Sequence, residues 1–184
     1  MVDLKEQYLQ IQIELQQCIL LCAEEGKYIQ GSSVAAFEAA LAGYTGMPHV
    51  ISCGNGTDAL QIAMMALDLK PGDEVILPAF TYVATAEVIK LLGLVPVLVD
   101  VNEDDFLIDV TQIENAITPN TKAIVPVHLF GQCANMDAIM QIAEKHKLFV
   151  IEDTAQAIGA FYTNSQGQKL RAGTIGDVGC TSFF

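Results

Sequence analysis

The 184-residue chain is 52% hydrophobic and only 17% charged, the composition of a folded protein with a substantial core rather than of a disordered segment. Nine basic residues against 22 acidic ones leave a formal charge of −13, which repels nucleic-acid phosphates and anionic membranes and argues against either as a partner. The longest apolar stretches, such as 91–99, are broken by Gly93 and Pro96 and fall short of a bilayer span, and the first ten residues carry three charges and no apolar export signal, so the expected compartment is the cytoplasm.

Leu4, Tyr8, Ile11, Leu15, Ile19 and Cys22 recur at steps of three and four, which predicts an amphipathic first helix ending near Gly26. A second helix follows, with Ser32 or Ser33 as its cap, Val34, Phe37, Leu41 and Tyr44 as its apolar face, and Gly46 and Pro48 as its stop. The cysteines at 18, 22, 53, 133 and 180 are odd in number and scattered, as reduced thiols are. Cys18 and Cys22 stand one helical turn apart without the further ligands a metal needs, so core packing is the expected role and no metal site is expected.

From Val50 the pattern changes to short β-branched runs alternating with helical segments, the mark of an α/β domain with a mainly parallel sheet flanked by helices. Strands are predicted near 50–53, 74–77, 95–99, 122–126 and 148–152, and helices near 57–68, 82–92, 111–117 and 136–146. Pro71-Gly72-Asp73 is a turn opening the second strand, and Gly93 closes the helix before the third. The polar stretch after Gln156 contains Tyr162 to Gly167, which reads as a hairpin or surface loop, and a further strand begins at Val178.

Gly54-Asn55-Gly56-Thr57-Asp58-Ala59 matches the dinucleotide fingerprint G-x-G-x-x-A, but that motif also wants an acid at the carboxyl end of the next strand. Here Asp73 and Glu74 stand at its start and Leu77-Pro78 at its end, so a nicotinamide dinucleotide is disfavoured. Phosphate binding survives that objection, because glycines allow close backbone approach and a helix beginning near Thr57 aims N–H groups at an anion. The bland reading, in which Thr57 or Asp58 caps the helix and the glycines make a tight turn, stands level with it on this motif alone.

Leu148 to Gln156 is an apolar run that delivers Glu152 and Asp153 to the carboxyl end of its strand, where ligands of parallel sheets bind. Tyr82 and His128 also follow strands, so that Thr57, Tyr82, His128 and Asp153 converge on one edge of one sheet. Singly, Asp153 reads as a turn cap or ion-pair partner, Tyr82 and His128 as structural, and Gln156 and Ser182 as ordinary; only the convergence marks a pocket. His49 and His146 read as surface residues.

Taken in order, Gly54 to Leu60, Pro71 to Ile76, Phe80 to Thr85, Glu152 to Gln156 and Thr181 to Phe184 resemble the DegT/StrS sugar aminotransferases over essentially the whole chain. The resemblance implies the large domain of an aspartate-aminotransferase-type enzyme (fold type I), truncated, with 1–48 as a helical segment and 49–184 as an incomplete cofactor-binding domain lacking the small C-terminal domain. It implies pyridoxal 5'-phosphate as cofactor, a nucleotide-linked keto-sugar and an amino donor, glutamate in most relatives, as substrates, and a homodimer. UDP-linked 3-keto-hexuronate aminotransferases for surface polysaccharides are the nearest in kind. By the same resemblance Gly56, Thr57 and Ser182 hold the cofactor phosphate, Tyr82 stacks on the ring, Asp153 pairs with the pyridinium nitrogen and Gln156 bonds the ring oxygen.

The family's Schiff-base lysine is expected shortly after Phe184, and Lys169, in the polar loop, does not match its motif. No catalytic residue is therefore assigned within 1–184, and this stretch alone is expected to be inactive. Two other readings remain: a pyridoxamine-dependent sugar dehydratase, with histidine in place of that lysine, and a non-catalytic α/β binding module.

Overall fold

A computed structural model describes residues 3–183, and these fall into two compact units divided between Ser52 and Cys53. The first unit holds α1 (Leu4–Glu25) and α2 (Ser32–Thr45). Asp3 caps α1 by accepting from the N–H groups of Lys5 and Glu6, and Gly26 ends it in the left-handed conformation (φ 63°). Helix α2 begins differently from expectation. Its N-cap is Gly31, which offers no side-chain hydrogen bond, while Ser32 donates to Glu25 and Ser33 lies 3.5 Å from Cys22 Sγ. Cys18 and Cys22 are exposed rather than packed in a core.

The strand expected near 50–53 does not form. Ser52 gives its N–H and its hydroxyl to the Glu38 carboxylate, both at 2.8 Å, so its backbone donor is spent on a side chain instead of a ladder. The short β-branched run predicts a strand here, but Ile51 is 81% exposed.

In the second unit the order is α3 (Gly56–Ala66), β1 (Glu74–Pro78), α4 (Ala84–Leu91), β2 (Val95–Val99), α5 (Val110–Ala116), β3 (Thr121–Ile124), α6 (Met136–His146), β4 (Phe149–Asp153), β5 (Phe161–Thr163), β6 (Lys169–Arg171) and β7 (Val178–Cys180). Strands β2, β1, β3, β4 and β7 lie in that spatial order and are parallel throughout. Strands β5 and β6 form a separate antiparallel hairpin, which carries Lys169 on a strand rather than in a loop.

Alternation along the central strands fixes which side chain faces which helix layer. Val75, Leu77, Ala123, Val125 and Ile151 pack with Leu60 and Met64 of α3 and Val88 and Ile89 of α4. Ile76, Ile124 and Val150 point the other way, onto Ile113 of α5 and Met136, Ile139 and Ala143 of α6. Each such fully buried Leu, Ile or Met contributes about 1.5–3 kcal/mol relative to its exposed state. Both faces of the sheet are thus covered, and the edge at which the strands end is the part left for a ligand.

Two turns mark the opposite end, where β1 and β2 begin. Gly72 adopts φ 93° in the turn that opens β1, where Lys70 N–H is held 2.7 Å from Asp73 Oδ2. Gly93 (φ 74°) closes α4, its N–H bonded to Lys90 O. Among the described residues, no helix is long and apolar enough to cross a membrane.

Candidate active site

The glycine turn owes its composition to a close approach. A Cβ placed at position 56 would stand 2.7 Å from Ser182 Cβ and 3.1 Å from its Oγ, so only glycine fits against this residue, two positions past β7. Neither Thr57 nor Asp58 caps α3. Asn55 does: its Oδ1 accepts the Asp58 N–H at 2.9 Å, while its Nδ2 donates to Asp58 Oδ2 at 3.1 Å. Asp58 and Ala59 N–H are both satisfied by Asn55, while the N–H groups of Gly56 and Thr57, the first two of the helix, have no intrahelical acceptor, and Gly56 lies against Ser182.

Asp153 ends β4 on the face shared with Ile151 and is 7% exposed. Its Oδ2 accepts the Thr85 hydroxyl at 3.1 Å and its Oδ1 the Ala155 N–H at 3.1 Å. Burial pushes this carboxyl above its ordinary range, and the Ala155 N–H, the Thr85 hydroxyl and nearby His128 only partly oppose that rise. Beside it in the sheet Cys180 is paired in register with Asp153, and burial raises its thiol to about 12. That thiol stays protonated and unreactive.

Gln156 lies in the exposed loop after β4, and its Oε1 accepts the N–H of Phe130 at 3.1 Å. The amide is thereby oriented: with the oxygen engaged, the nitrogen is the end left to donate to a ligand. Phe130 occupies the left-handed region (φ 57°), a strained setting for an aromatic residue at a turn between β3 and α6. Tyr82, in the loop after β1, is 72% exposed.

His128 does not reach this edge. Its ring is fully buried on the opposite face, with Nε2 2.8 Å from Glu152 Oε2 and Nδ1 accepting the Ala134 N–H at 3.1 Å. Accepting at Nδ1 fixes the tautomer with the proton on Nε2, donated to Glu152. Glu152 also takes the N–H groups of Gly173, Ile175 and Gly176 at 2.6–2.9 Å. Burial acts to raise its pKa, but the His128, Gly176 and Gly173 hydrogen bonds win and hold it below the ordinary carboxylate range.

Gly56, Thr57 and Ser182 are thus gathered at one point, and Asp153, Tyr82 and Gln156 all leave strands at the same carboxyl edge. Sequence reasoning missed Asn55, Thr85 and the Phe130 turn. Asn55 was open to discovery as an Asx residue directly before a helix; Thr85 sits 68 positions from its partner and left no local signal.

The chain matches the DegT/DnrJ/EryC1/StrS aminotransferase family over residues 10–184. It belongs to that family. A UDP-2-acetamido-2-deoxy-3-oxo-D-glucuronate aminotransferase of Pseudomonas aeruginosa is 49% identical over 183 residues, covering all of this chain and 50% of its own length. A UDP-N-acetyl-3-dehydro-alpha-D-glucosamine 3-aminotransferase of Acidithiobacillus ferrooxidans is 47% identical over 184 residues, again all of this chain and 48% of its own. The chain therefore spans about half the length of these curated relatives.

Among solved structures, a DegT/DnrJ/EryC1/StrS aminotransferase from Brucella abortus superposes with a TM-score of 0.93 at 44% identity, over all of this chain and 50% of its own. A sugar aminotransferase from Streptococcus pneumoniae in its pyridoxal-phosphate form does so at 0.79 and 33% identity, over 84% of this chain and 42% of its own. The α/β fold with its parallel sheet is that of the aminotransferase large domain.

Proposed function

We propose that the full-length protein transfers an amino group, from glutamate, to the keto carbon of a nucleotide-linked 3-keto-sugar, using pyridoxal 5'-phosphate. The observation that carries this reading is the contact of Gly56 with Ser182 at the edge where Asp153 ends its strand. A cradle that a single Cβ would fill, with helix N–H groups on one wall and a hydroxyl on the other, fits a phosphate monoester in a chain too acidic to supply a basic cluster.

Gly56 and Thr57 donate their N–H groups to the phosphate, joined by the Ser182 hydroxyl. Tyr82 lies against the pyridine face. Asp153, ionised, accepts from the protonated ring nitrogen, and Gln156 donates its amide N–H to the ring oxygen while Phe130 N–H holds the amide in place. The cofactor, when bound, supplies an electron sink for the pair left after proton removal from the substrate carbon. A charge next to the buried Asp153 favours its ionised form, the reverse of what burial alone does.

Both relatives named above act on UDP-linked 3-keto-sugars, and that substrate class is the one we assign. They differ at C6, so a hexuronate, the case met in surface polysaccharides, and a hexose are distinguished by assay. The active protein is a cytoplasmic homodimer in this reading, and residues 1–184 alone do not turn over, because no lysine among them matches the family's motif.

The test is formation of 2-oxoglutarate from glutamate by the full-length protein, with UDP-linked 3-keto-glucuronate and 3-keto-glucose derivatives as acceptors. Amine product from either carries the reading and names the sugar. Loss of a hydroxyl without amine gain replaces it by the dehydratase, and neither product overturns it. Turnover by residues 1–184 alone would sink the statement about that stretch.

A further inference from the structure

We propose that Thr85 is a positioning residue for Asp153, holding the carboxylate in the plane and ionisation state that a pyridinium partner requires; this rests on the function proposed above. Thr85 is the second residue of α4, fully buried among apolar neighbours that pack onto the sheet. A buried hydroxyl in an otherwise apolar helix face costs free energy unless it is bonded, and the partner it finds is Asp153 Oδ2, across 68 residues of sequence. Valine would fill the same volume with no such debt, so the hydroxyl is explained by the carboxylate.

The two donors divide the work. Ala155 N–H holds Oδ1 from the same loop, and Thr85 holds Oδ2 from a different element, so that rotation about Cβ–Cγ is blocked from both ends. The other titratable groups bearing on Asp153 are His128 on the far face, Glu152 beside it and Cys180 across the ladder. None of these three donates a hydrogen bond to its carboxylate oxygens, so among the described residues Thr85 is the one side chain that favours the ionised form by direct contact.

The experiment uses full-length protein carrying Thr85→Val and Thr85→Ser. Cofactor affinity is measured by fluorescence titration with pyridoxal phosphate, and the absorbance of the bound cofactor is followed against pH. Thr85→Val is expected to weaken binding about tenfold, the equivalent of one hydrogen bond to a charged group. It should also shift the pH profile of the absorbance. Thr85→Ser, keeping the hydroxyl, is expected to restore both to within about twofold.

Wild-type binding with an unchanged Thr85→Val affinity and profile overturns the proposal and leaves the function standing. No binding by wild type overturns the function, and this inference with it. If Thr85→Val fails to fold by circular dichroism, Thr85→Ala is read by the same criteria; loss of fold in both overturns the proposal in favour of a purely structural hydroxyl.

Discussion

Glu152 and Asp153 are neighbours on one strand, both buried, and the fold treats them in opposite ways. Glu152 faces α5 and α6 and receives four donors, three from the backbone of 173–176 and one from His128. Asp153 faces α3 and α4 and receives two. The first is driven below its ordinary pKa and the second above it. A carboxylate surrounded by donors is structural, since its lone pairs are spent; one left short of donors is poised for a partner still to come. Strand alternation alone, one residue to each face, separates the two roles.

The contrast can be broken most directly at Glu152. Glu152→Ala strands the N–H groups of Gly173, Ile175 and Gly176 and the His128 proton in the interior, and should cost about 3–5 kcal/mol by urea unfolding, the cost of removing one partner of a buried charged cluster. A loss below about 1 kcal/mol would refute the structural reading of this carboxylate.

At Asp153 the expectation reverses. Asp153→Asn should lower turnover of the full-length enzyme by about 10²–10³-fold, the range for losing one preorganised electrostatic group. Yet it should raise the melting temperature of the cofactor-free protein at neutral pH, because the raised pKa means that the ionised native carboxylate is disfavoured there. A lower melting temperature would place Asp153 with the structural acids.

Gly56→Ala sharpens the same division at the phosphate side. The added methyl meets Ser182 Cβ at 2.7 Å, and backbone must move to admit it. Affinity for pyridoxal phosphate should fall at least about tenfold with a stability loss of about 1–3 kcal/mol, the usual cost of overpacking. Unchanged affinity by fluorescence titration would remove the cradle from the binding site.

The smallest effect lies in the pH dependence of stability. Glu152, lowered in the fold, contributes stability that is complete above its unfolded pKa and is lost as pH falls through its folded value. Asp153, raised in the fold, contributes stability that is complete below its unfolded pKa and is lost as pH rises through its folded value. Denaturation of the cofactor-free protein across pH 3–8 should therefore show a shallower acid limb in Glu152→Gln and a flatter upper limb in Asp153→Asn. Identical changes in the two variants would dissolve the distinction.

Much of this was readable in advance, and unevenly. Strands β1 to β4 and β7 announce themselves by β-branched runs between glycine and proline turns, and the motif order ties Gly56 to Ser182. The 50–53 run carries the same signal and still forms no strand, because Glu38, fourteen residues upstream, claims the Ser52 N–H. The sequence also presents Glu152 and Asp153 alike. Which of them faces the site depends on register, and His128 could be turned inward only by knowing that register. Thr85 was invisible for a related reason: its partner is set by how the first turn of α4 lies over the sheet, a tertiary fact with no periodic trace.

The meeting of Gly56 with Ser182 also has a temporal side. One wall of the cradle is made early in synthesis and the other only once β7 has paired with β4, so a growing chain lacks the proposed phosphate site until that ladder is in place. If the cradle holds the cofactor phosphate as proposed, cofactor supplied during refolding selects chains that have completed that ladder and leaves earlier intermediates untouched.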